Sequence, residues 1–144
     1  MQLHRRWPID WRIPEMRQPG HPTALLVPDF PIPKGLSPQW ASLLPTTDYN
    51  EAMLAGLVRR PSWAPVPDIA TCYMADPFLN GAQFARALHE RGISRVANLP
   101  SAGMFGADYA ALLNKVSLGF DRELQRLALM AQHQLEVFIA VADF

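Results

Sequence analysis

Two short stretches of this chain set polar side chains where chemistry is commonly done: Asp76-Pro77-Phe78 and Asn98-Leu99-Pro100-Ser101. A carboxylate such as Asp76 can serve as a general base or as an oxygen ligand to a divalent cation. The amide of Asn98 and the hydroxyl of Ser101 can orient a ligand by donating and accepting hydrogen bonds. Each also has an ordinary structural role. Asp before Pro starts turns and caps helices, and Asn in a turn bonds neighbouring backbone. The four histidines, His4, His21, His89 and His133, share no i, i+4 spacing, so they give no zinc pattern. His89 and His133 fall near expected helix C-termini, where a cationic ring is electrostatically comfortable.

The elements that must position these groups come from hydrophobic periodicity. Asp68 to Ala75 and Ile93 to Leu99 are short apolar runs separated by a segment of helical period, Asn80 to Arg91, which Gly92 ends. That is a β-α-β unit, and both polar stretches fall at the carboxyl ends of its strands. Loops there offer free backbone N–H groups in parallel α/β proteins. Thr23 to Val27 is a further strand, and Leu135 to Ala142 a last one. Ser37-Pro38 reads as the start of a short helix, and Thr47 or Asp48 as the cap of a longer one, DYNEAMLAGLVRR. The segment Asp108 to Gln134 reads as two helices with a break near Leu118-Gly119. Glu123 begins the second, where a carboxylate complements the helix dipole in a solvated or capping role.

Composition bounds the function classes. Thirteen basic and thirteen acidic residues give no net charge, which disfavours nucleic acid as a partner. No window approaches the ~18 uninterrupted apolar residues of a membrane span, and the N-terminus lacks the apolar core of a signal peptide. The single cysteine, Cys72, excludes a disulfide framework and reads as a small core hydrophobe, in keeping with a cytoplasmic location. Prolines 8, 14, 19 and 22 interrupt residues 1–22, so this segment is expected to be an extended Pro/Trp/Arg-rich arm. Its Trp7 and Trp11 call for an apolar surface to bury against. Residues 23–144 form the regular domain.

From Leu43 onward the motifs LLPTTDYN, ATCYMADPF, VANLPSAG and LGFDRE, in that order, resemble the phosphoenolpyruvate-hydrolase-like family of TIM-type barrels, which is related to the phosphoenolpyruvate mutase and isocitrate lyase group. The resemblance covers about two thirds of the chain. It implies a parallel sheet of about four strands forming roughly half of a β/α barrel, since a whole one needs ~250 residues. It carries functional positions onto Asn50, Asp76, Asn98 and Glu123. It implies Asp76, Asn98 and Glu123 as catalytic residues and Asp48, Asn50 and Ser101 as ligand-binding ones. The implied ligand is a small phosphoenolpyruvate-like carboxylic acid, with a divalent metal such as magnesium held through oxygen ligands. The chain departs from the family where an Asn-Ser-Gly-Arg loop and a Gly-Arg-Gly-Ser run are expected. VPDFPIPKGLSPQW stands there instead, with no arginine and one glycine. Guanidinium forks and glycine N–H runs are what hold an anion. Their loss favours a degenerate half-barrel that binds or assembles, with a second copy or a larger protein partner. The alternative is a small-molecule lyase or hydrolase. The open edges of a four-stranded parallel sheet point the same way, because they must be paired or covered.

Overall fold

A computed structural model describes residues 25–28, 30–36, 41–42, 48–61, 63 and 69–140. The expectations for the arm with its Trp7 and Trp11, and for the Ser37-Pro38 helix start, lie outside these residues. Of that short helix, Ala41 and Ser42 are described, and both are helical.

The chain is an α/β protein. Strands β1 (Leu25–Leu26), β2 (Ile69–Cys72), β3 (Arg95–Asn98) and β4 (Glu136–Phe138) form a parallel sheet in the order β1-β2-β3-β4. Its register pairs Leu26 with Ala70, Ala70 with Val96, and Val96 with Val137. Between the strands lie helices α1 (Tyr49–Arg59), α2 (Gly81–His89), α3 (Ala107–Lys115) and α4 (Phe120–Gln132). Spatial order follows chain order throughout the described sheet, with no reversal point.

Helices α1 and α2 start on local side-chain caps. Asp48 and Asn80 cap α1 and α2 by accepting the N–H groups of Glu51 and Gln83. At the other end of α2, Gly92 takes a left-handed φ of 71° while its N–H and that of Ile93 close on the carbonyls of His89 and Leu88. This satisfies helix-end carbonyls and lets Ile93 pack on Leu88. Arg91 extends its guanidinium to the Val58 and Arg60 carbonyls, tying the ends of α1 and α2 together.

The core forms where the strand residues Leu26, Ala70, Cys72 and Val96 meet Met53 and Leu57 of α1, Phe84 and Leu88 of α2, and Leu127 and Met130 of α4. Alternation sends Ile69, Thr71 and Ala97 to the opposite face, and these too are buried. All four residues of β2 are buried, which is why it reads as a continuous apolar run. Thr71 is the polar member. Tyr49 donates its hydroxyl to Thr71 Oγ1 (2.6 Å), and Thr71 donates onward to the Leu26 carbonyl (2.7 Å). Burial pushes the Tyr49 phenol well above its ordinary range, so it remains a donor.

The strands are shorter than the apolar runs suggest, and side chains explain where they stop. The run 69–75 ends its ladder at Cys72 because the Asn50 amide takes over the backbone of Tyr73. The run from Leu135 leaves β4 at Phe138, and Ala140 gives its N–H to Asn98 Oδ1 instead (2.6 Å). The stretch Pro100 to Gly106 between β3 and α3 holds a 3-10 turn over Ala102–Phe105 capped by Ser101.

Candidate functional site at the strand ends

Two asparagines organise the carboxyl end of the sheet, and each does so in the same way. Asn50, in the first turn of α1, accepts the Tyr73 N–H on Oδ1 (2.8 Å) and donates Nδ2 to both the Tyr73 carbonyl and Asp76 Oδ2 (2.9 Å each). Its carboxamide thus replaces a neighbouring strand at the end of β2. Asn98, the last residue of β3, accepts the Ala140 N–H on Oδ1 and donates Nδ2 to Glu123 Oε2 (2.7 Å). Each amide therefore joins a strand end to one carboxylate.

The carboxylates are held from their other side by backbone. Asp76 Oδ1 accepts the Phe78 N–H (2.9 Å), closing the turn that Asp-Pro announces. Glu123 Oε1 accepts the Ala102 N–H (2.7 Å), while Ser101 Oγ donates to Oε2 (2.8 Å). Glu123 is 0% exposed, so three donors from two segments converge on a carboxylate shut off from bulk solvent. Burial raises its pKa above the ordinary value, and the bonds from Ala102, Asn98 and Ser101 pull against that rise.

Of the six residues singled out in the sequence, Asn98, Ser101 and Glu123 form one buried network, and Asn50 and Asp76 form a second. Asp48 joins neither: its side chain caps α1. The hydrogen bonds of Asp76 and Asn98 run to different partners. Glu123, expected as a solvated or capping group at its helix start, is instead wholly buried, where Asn98 at the end of β3 and the Ser101–Ala102 corner that follows close on it. Among the described residues no group of three His, Cys, Asp or Glu side chains gathers as a metal site.

Tyr73 was not singled out in the sequence, because it hides in the apolar run IATCYMA. It is half-buried at the end of β2, with its backbone pinned by Asn50 and its phenol pushed up to about 12, chiefly by burial and then by Glu123, Tyr109 and Asp76. Tyr73 and Asp76 are half-exposed polar groups of this end, as are Tyr109 and Arg126, and Phe78 nearby is 90% exposed. Cys72 lies behind them, fully buried, its thiol raised by burial and by the Asp76 charge, as a core residue rather than a nucleophile.

No family model matches the chain, and no curated protein matches it. No helix among the described residues is long and apolar enough to cross a membrane.

Proposed function

We propose that this chain is a barrel-type β/α module of the phosphoenolpyruvate-hydrolase-like kind that binds and assembles rather than catalyses. The sequential parallel order without a reversal point supports the half-barrel reading, because an open doubly wound sheet reverses its strand order at the ligand crevice. One observation carries the functional reading. Glu123, with Asn98 and Ser101, is sealed from solvent and spends its acceptors on donors of its own chain. A carboxylate committed in this way fastens α4 to the end of β3, and a ligand meets no free polar atom there. The Pro-rich stretch in place of the arginine-glycine loop removes the usual grip on an anion.

A second reading, a lyase or hydrolase for a small carboxylic acid, has its own support. Asp76 and Tyr73 are anchored by Asn50 and remain half-exposed at the strand ends, where a barrel collects its site. Thermal unfolding of the intact chain with phosphoenolpyruvate, pyruvate or oxalate, each with and without magnesium, separates the two. The binding and assembly reading expects no change in Tm with any of them. A saturable rise of several degrees that Asp76→Ala abolishes would move the conclusion to the enzyme.

A further inference from the structure

Among the described α-helices, α3 alone buries no side chain fully. Its inner side is Tyr109, Ala110 and Leu113, each half-buried. Its outer side, at spacings i, i+3, i+4, i+7 and i+8, is Asp108, Ala111, Leu112, Lys115 and Val116, and all five are exposed. Leu112 is 55% and Val116 58% exposed. A solvated helix face normally carries polar residues along its length. Here an apolar band is bracketed by one negative charge in the first turn and one positive charge in the last.

The positions of those two charges select the partner. Residues 108 and 115 are equidistant from the point between 111 and 112, so two copies of the helix laid antiparallel about that point set Asp108 of each opposite Lys115 of the other. Both ion pairs form at once, the Ala111-Leu112 centre packs on itself, and the helix dipoles oppose. A parallel arrangement would set like charges against each other. No other charged residue lies in α3.

We propose that α3 is a homodimer contact, through which two copies of this chain pair antiparallel with an Asp108–Lys115 ion pair at each end. This rests on the assembly reading above and names its surface and its partner. A nine-residue helix is only about 14 Å long, so the dimer is weak and concentration-dependent.

Sedimentation of the intact chain over a concentration series tests it, with Asp108→Lys, Lys115→Asp, the double variant and Leu112→Glu alongside. All three positions are exposed, so the variants fold, as circular dichroism will verify. The natural sequence is expected to dimerise reversibly. Each single reversal turns two attractive pairs into two repulsive ones and weakens the dimer roughly tenfold or more. The double variant restores it to within about threefold, and Leu112→Glu leaves a monomer. A dimer indifferent to all four changes overturns the α3 assignment while leaving assembly standing. A natural sequence that stays monomeric throughout overturns the homodimer itself.

Discussion

Glu123 shows how one side chain can hold three segments. Removing it in Glu123→Ala leaves Asn98 Nδ2, Ser101 Oγ and the Ala102 N–H facing a void. Buried donors without partners cost about 1–3 kcal/mol each, so urea unfolding of this variant should show a loss of about 3 kcal/mol or more. Glu123→Gln keeps an acceptor for two of the donors and should cost less, but it changes the pH dependence. Because burial raises the Glu123 pKa, the folded chain holds this proton more tightly than the unfolded chain does. Its contribution therefore favours folding below the ordinary value of 4.5 and fades as pH rises from there through the raised value. The stability of the natural sequence relative to Glu123→Gln should fall across that window. A difference that stays flat, or that grows with pH, would show that the bonds outweigh burial. Asn50→Ala makes the companion test at the other cluster. It strips partners from both the N–H and the carbonyl of Tyr73, and a loss of about 2–3 kcal/mol is expected on urea unfolding. The importance of Asn50 and Asn98 as residues was legible from their motifs. The burial of Glu123 was not, because its partners lie 21 to 25 residues away and helix-start logic alone places an acid there in water.

At the scale of elements, what depends on near neighbours could be read from the chain. The cap at Asp48, the Gly92 stop and the break near Gly119 all rest on local backbone chemistry, and all are present. The parallel strands followed from apolar runs alternating with helical periods. Their lengths did not, since Asn50 and Asn98 end β2 and β4 from distant positions. The 3-10 turn at Ala102–Phe105 had no periodic signal to give it away. Gly119 offers a sharp test of the α3–α4 corner. Its φ of −89° is open to any residue, but an added Cβ would overlap the Asn114 side chain and stand 2.8 Å from the Asn114 backbone nitrogen. The side chain can swing away and the backbone cannot. Gly119→Ala is expected to lower stability by about 1–3 kcal/mol, read from thermal unfolding, and an unchanged Tm would mean that the corner opens freely.

For the whole molecule, two features stand out among the described residues: the buried Asn98–Ser101–Glu123 network at the strand ends and the exposed band on α3. Arg95 and Glu136 join β3 to β4 by an exposed ion pair of 2.9 Å, and pairs of that kind add little to stability. The fold rests instead on the core between the sheet and helices α1, α2 and α4. Its exposed apolar groups include Phe78 at the strand ends, Val58 and Trp63 at and after the end of α1, and Leu112 with Val116 at α3. The mass of the intact chain in solution, followed over concentration with and without phosphoenolpyruvate and magnesium, tests this account most directly. It predicts a mass that rises from monomer to dimer with concentration and does not respond to the ligand. A monomer at every concentration, with a Tm raised several degrees by phosphoenolpyruvate and magnesium, would contradict it.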